Sequence, residues 1–224
     1  MNKINYVLLA LLLAFSPLLM SAQEDEIKVG VRAGHNAAFG GFAAASLETT
    51  QSLLNDFSIS GGVQYNTIGR TALEVRPAYT FDINWGRLTP EMLAVYTRLA
   101  GVNNYAVGVG ARIDSGRTAV KFGYYYRAFG GQGGWIKEPF NIYYELRVGM
   151  LEKVEKWDLD LIITNNETFE LERHYQPSFI AECFYYPKTN LGLSFGLGCK
   201  PAGIFNMSAD YYQSYLKTSL CYRW

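Results

Sequence analysis

Few side chains in this chain are equipped for covalent chemistry, and their spacing argues against most of it. His35 and His174 are the only histidines, so an imidazole base has to be one of them. A Ser–His pair on an extended segment needs two-residue spacing to share a face. Position 176 is Gln176, and Ser178 falls at the other side of a strand end from His174. Asp158 and Asp160 do share a face, as an acid–base pair or a cation site would require. The preceding strand, however, is expected to bring Arg147 about opposite Asp158, and an interior ion pair accounts for such carboxylates without catalysis. Cys183, Cys199 and Cys221 make an odd set. Cys183 and Cys199 fall about four rungs apart on neighbouring strands, roughly 13 Å at ~3.4 Å per residue, beyond the ~7 Å a disulfide spans. They read as free thiols. The sequence therefore predicts no catalytic residues, no metal site and no cofactor.

The other charged residues follow a period of two. Arg32, Glu74, Arg76, Arg112, Lys121, Arg127, Glu145, Arg147, Asp158, Asp160, Glu182 and Lys217 share one row with Lys28 and Lys200. The alternate row is apolar: Val29 and Val31, Val107 and Val109, Phe122 and Tyr124, Leu159 and Leu161, Leu193 and Phe195. A strand with one apolar and one polar row separates hydrocarbon from a polar interior. The last nine residues repeat the rule. Leu216, Leu220, Tyr222 and Trp224 face one way, and Lys217, Ser219, Cys221 and Arg223 face the other, with Thr218 breaking the apolar row. This spacing resembles the C-terminal signal of bacterial outer-membrane β-barrels, which the barrel-assembly machinery reads as a closing strand with a terminal aromatic residue.

Residues 1–22 read as a signal peptide: Lys3 is the sole charge, Val7 to Met20 is almost wholly apolar, and Ser21-Ala22 offers a small-residue cleavage site. The mature chain is expected to start near Gln23, so that 23–224 form one barrel. No later segment reaches the ~18 uninterrupted apolar residues of a membrane helix. Net charge is zero, which removes bulk electrostatics as a basis for binding nucleic acid. Aromatic residues make up 15 % of the chain, with 17 Tyr, a residue suited to the membrane–water boundary.

Taken in order, the alternation predicts about twelve strands of roughly 8–11 residues, an all-β, transmembrane, up-and-down antiparallel barrel. Four places resist the pattern. Residues 38–47 are Gly/Ala-rich, Leu47 to Asp56 reads as a long turn, Leu88 to Leu99 admits either face outward, and Gly130 to Pro139 reads as a Gly-rich loop. Pro77 should demand a bulge, because a closed barrel has no free edge to excuse a missing N–H. Short turns near Trp85, Ser115, Glu152 to Glu155 and Lys188 face longer loops at Gly130, Asn165 and Lys200, the asymmetry of periplasmic turns and extracellular loops.

The segment Val29-Gly30-Val31-Arg32-Ala33-Gly34-His35-Asn36 and the strand from Phe57 to Gly69 resemble the small outer-membrane β-barrel proteins of Bacteroidota, of the PorT-like type. The likeness covers those two segments and the C-terminal signal. It implies an outer-membrane barrel and carries over no functional residues. The polar inner row leads to the expectation of a narrow passive pore for small polar or anionic solutes, since its Lys and Arg outnumber its Asp and Glu. The alternative is a non-conducting barrel acting through its loops as scaffold, adhesin or assembly partner. Outer-membrane lipid and the assembly machinery are the expected partners; a protein partner stays unknown.

Overall fold

A strand that is apolar on one side and polar on the other cannot bury itself alone. In hydrocarbon, moreover, every backbone N–H and C=O must find its partner within the protein. The chain meets both demands by closing one antiparallel sheet on itself. The computed structural model describes residues 25–37, 40–54, 56–99, 101–131, 134–154, 156–167, 170–171, 177–201 and 213–224. The expected signal peptide, His174 and residues 202–212 lie outside them. The strands are β1 (Glu26–Asn36), β2 (Gly40–Leu54), β3 (Phe57–Asn66), β4 (Thr71–Tyr79), β5 (Phe81–Ile83), β6 (Gly86–Leu99), β7 (Val102–Ser115) and β8 (Thr118–Gly131), then β9 (Gly134–Val154), β10 (Trp157–Thr164), β11 (Asn166–Glu167), β12 (Glu170–Leu171), β13 (Ser178–Lys188), β14 (Leu191–Lys200) and β15 (Gln213–Arg223).

Sequence neighbours pair along the sheet, β4 pairs with β6, and β1 pairs with β15. Strands β4 and β5 are one strand interrupted at Thr80, and β11–β12 is a separate ribbon, so the barrel has 12 strands. At the seam Asp25 and Trp224 exchange backbone hydrogen bonds of 3.3 and 3.1 Å, and Arg223 Nε donates to Glu26 at 2.9 Å. The outer wall exposes what a water-soluble protein would hide: Val107 at 58 %, Leu197 at 61 % and Leu216 at 61 %. Aromatic pairs stand near both ends, Tyr96–Tyr105 at one and Trp157–Tyr185 and Tyr222–Trp224 at the other, where amphipathic rings meet headgroups. Tight turns need left-handed backbone, supplied by Gly116 (φ 56°) between β7 and β8 and by Gly69 (φ 79°) between β3 and β4.

The ambiguous places resolve through pairing and exposure, and residues 40–47 join β2 beside β1. Leu47 to Asp56 is not a turn: β2 runs to Leu54, pairing Leu47 with Val63 and Gln51 with Ile59. Its polar composition is overridden because β1 and β3 offer partners on both sides. The expected loop over Gly130 to Pro139 is also a ladder, with β8 continuing to Gly131 and β9 starting at Gly134. In the 88–99 segment Met92 is 59 % exposed and Leu93 only 1 %, so Met92, Ala94 and Tyr96 face outward. The bulge expected at Pro77 is absent. Pairing with β6 skips from Val75–Ala94 to Ala78–Glu91 in unchanged register, while Pro77 stays paired with Ile59 of β3. Two skipped rungs accommodate the missing N–H there. The extra residue sits instead in β9, between Glu138 and Asn141, the stretch that holds Pro139.

This wall makes a depth-dependent prediction. Val107→Arg places a charge on the lipid face and should cost ~2–4 kcal/mol of stability in lipid vesicles, read from the urea refolding midpoint. Gln64→Arg, on the inner face, should cost far less. Equal costs would mean that the outer wall does not meet hydrocarbon.

Candidate functional site

Because the strands alternate, every polar side chain of the inner row points into the barrel. Arg32, Glu74, Arg127 and Glu182 are buried there. The residues expected on the inner row come from eight strands, and those whose contacts are seen gather into groups instead of one continuous charged track. In the first group Arg76 of β4 bonds Glu74 through Nε and Glu91 of β6 through Nη1 at 3.0 Å, and Lys121 Nζ of β8 lies 3.2 Å from the same Glu91. In the second, Lys217 Nζ meets Glu182 at 2.6 Å. A third joins Arg147 to Asp160 at 3.3 Å and to Glu145 at 3.5 Å. Arg112 pairs with Asp114 at 2.6 Å beside the β7–β8 turn. Arg127 stacks over the Tyr125 ring at 5.5 Å. Arg147 is not opposite Asp158 as expected. Register shifts between Trp157 and Asp160 bring it level with Ile162, within reach of Asp160.

Glycines decide how far these side chains reach. One rung reads Glu91, Gly110, Gly123, Tyr143 across β6 to β9. A Cβ at Gly110 or Gly123 would collide with the Tyr143 phenol. The ring therefore lies flat on a trough made by two missing side chains, and its hydroxyl reaches Glu91 at 3.2 Å. Tyr143 is wholly buried, beside Leu93, Val95, Ala106 and Tyr125. The same device recurs elsewhere. Tyr215 covers Gly198, and the Lys217 stem crosses Gly196 to reach Glu182.

Two features narrow the bore. Arg76 Nη2 donates to Asn166 Oδ1 at 2.9 Å. Asn166 follows β10, five strand positions from β4 in a ring of twelve, so this contact bridges the lumen almost from wall to wall. The segment is pinned at its root. Thr164 Oγ1 donates to the Tyr144 carbonyl at 2.8 Å, and Asn165 Nδ2 donates to the Ile142 carbonyl at 3.0 Å. Phe42, Ile162, Ile180 and Tyr215 form the second feature, an apolar cluster whose members come from β2, β10, β13 and β15. Arg32 lies against two of its rings, 5.6 Å from Phe42 and 4.8 Å from Tyr215. A polar cavity of about 130 Å³ lies between β1–β3, β9, β10 and β13–β15.

Several of these residues escaped the sequence reading. Glu48 lay in the supposed turn, Glu91 in the strand of ambiguous face, and Tyr143 and Asn166 carry no local signature. The glycines on the inner row, Gly108, Gly110, Gly123, Gly196 and Gly198, were the available signal, since bare stretches of lumen wall invite a large neighbour. The cysteines are free, with Cys199 level with Phe179 and thus four residues along β13 from Cys183. Among the described residues no group of three or more His, Cys, Asp and Glu could hold a metal ion.

A closed 12-strand barrel with an apolar exterior and a polar interior is an outer-membrane β-barrel, and the outer membrane is where such a wall belongs. No protein-family model matches the chain, and no curated protein matches it. Solved structures do. The KdgM porin superposes with a TM-score of 0.56 at 14 % identity, over 88 % of this chain and 98 % of that one. The NanC porin gives 0.54 at 14 %, over 88 % and 98 %. The translocator domain of the autotransporter NalP from Neisseria meningitidis gives 0.58 at 11 %, over 99 % and 96 %. At these identities the likeness is one of fold, shared by porins and a translocator alike.

The trough predicts non-additive mutations. Gly123→Val should cost ~1–3 kcal/mol by overpacking against Tyr143. In a Tyr143→Ala background the same change should cost much less, because the ring it strikes is gone. Additive losses in chemical denaturation would mean that the ring does not lie on the glycines.

Proposed function

We propose that the protein is a narrow passive channel of the outer membrane for small polar solutes. One observation carries the reading: the interior keeps a polar cavity, and the Arg76–Asn166 contact that bridges the lumen is made by side chains that can part. The sequence suggested a preference for anions. Glu48, Glu91 and Asp114 also face inward, and they offset most of the excess of Lys and Arg, so charge selectivity on this reading is weak. The apolar cluster around Tyr215 favours the second reading, a plugged barrel that works through its loops. The likeness of residues 29–36 and 57–69 to PorT-like proteins of Bacteroidota stays part of our reading of its kinship. So does the absence of enzymatic activity.

Single-channel recording on refolded protein separates the two. A pore should give small conductance steps, and Asn166→Ala should enlarge them by removing the bridge. Silence from both proteins would leave the plugged barrel. Assembly offers a separate test. Leu216, Leu220, Tyr222 and Trp224 form the outward row of the closing strand, with Trp224 46 % exposed. Deleting Trp224 should leave the protein degraded or in the periplasm; normal outer-membrane levels would remove the assembly-signal reading.

A further inference from the structure

The cavity in the lumen has a composition that a plain water path does not require. Its floor is set by two neighbouring rungs. One carries Ser46, Gly30 and Ser219 on β2, β1 and β15. Gly30 projects nothing between them, and a Cβ at that point would press on Ser46 Oγ. The rung below pairs Lys28 directly with Glu48. Both side chains line the cavity. Among the described residues Lys28 closes no ion pair or hydrogen bond, although Glu48 stands level with it, and the only such contact of Glu48 is with Ser46 Oγ at 3.5 Å. The other interior charges behave differently. Lys217 and Glu182, a few residues away on the same cavity wall, are joined at 2.6 Å. An ammonium and a carboxylate thus face the same enclosed space, attracting each other but with no hydrogen bond or close ion pair formed between them.

Charges drawn away from bulk water gain most from partners of opposite sign that also hydrogen-bond. A neutral polyol could hydrogen-bond beside Ser46 and Ser219, whose hydroxyls already have partners, but would leave both charges unmet. A simple anion would satisfy Lys28 and be repelled by Glu48. A solute bearing its own carboxylate and ammonium meets both, carboxylate to Lys28 and ammonium to Glu48. Size sets the upper limit. The cavity of about 130 Å³ is comparable with the ~150 Å³ cavities that admit benzene, which suits a molecule no larger than a small amino acid. The geometry points to a binding site for small zwitterionic solutes in the lumen, centred on Lys28 and Glu48. It deepens the channel reading by naming the solute class, and as a way-station it rests on that reading.

Calorimetry on the refolded protein in detergent tests the site without requiring conduction, with L-serine as probe and glycerol and lactate as comparisons. L-Serine should bind saturably, and glycerol and lactate at least about tenfold more weakly, since each forgoes a charge-assisted hydrogen bond. Lys28→Glu and Glu48→Lys should each abolish binding. The double exchange Lys28→Glu with Glu48→Lys should restore it, because the solute can turn end for end, and a restored signal excludes misfolding as the cause of the single losses. Equal binding of glycerol and L-serine, or no recovery in the exchanged protein, overturns the site. Ion current from the same preparation reports on the channel separately. Current without L-serine binding removes the site and leaves the channel, whereas binding without current removes the channel and leaves the site.

Discussion

A backbone amide inside hydrocarbon has no water to fall back on, and an unpaired one costs several kcal/mol. Everything in this barrel follows from that constraint. It forbids an edge, so β15 must find β1 and β4 must find β6. It also explains why irregularities are absorbed within the ladder. At Pro77 two rungs are skipped while β3 holds the other side, and near Pro139 β9 takes an extra residue. The seam is closed by the chain ends themselves, where Asp25 and Trp224 exchange backbone bonds and Arg223 holds Glu26.

Closure then creates a second problem, an enclosed interior that must be either filled or wet. This chain does some of each. Large side chains are laid flat over glycines, so that Tyr143 spans two strands to reach Glu91 and Lys217 spans one to reach Glu182. A phenol or alkyl stem lying along the wall packs apolar surface and still delivers its polar tip to a partner. Charges that would be costly alone are joined in groups. The lumen is thereby stiffened, and a polar cavity of about 130 Å³ is left beside β1 and β2.

A fold shared with porins and with an autotransporter translocator leaves function to the interior. There the decisive contacts are few. Asn166 is held by Arg76 from the far wall, on a segment rooted by Thr164 and Asn165 to the backbone of β9. The apolar cluster around Tyr215 narrows another part of the lumen. Both features lie on residues that look unremarkable in the chain, and both come from strands distant in sequence.

Alternation was sufficient for much of this. Period two is a local property, so the outward rows at Val107, Leu161 and Leu216, the tight turn at Gly116 and the closing strand were legible from neighbouring residues alone. Where both rows are apolar, as at Met92–Leu93, or both small and polar, as along β2, local pattern carries no sign. The face and even the existence of the strand were then fixed by the strands on either side. Which inward charges meet was likewise a tertiary matter. β9 runs on to Val154 and two register shifts follow, so Arg147 stands level with Ile162 and meets Asp160, and two bare glycines let Tyr143 touch a carboxylate 52 residues earlier. Register sums every insertion along two strands, and reach depends on what the intervening strands leave out, so neither can be read from one segment at a time.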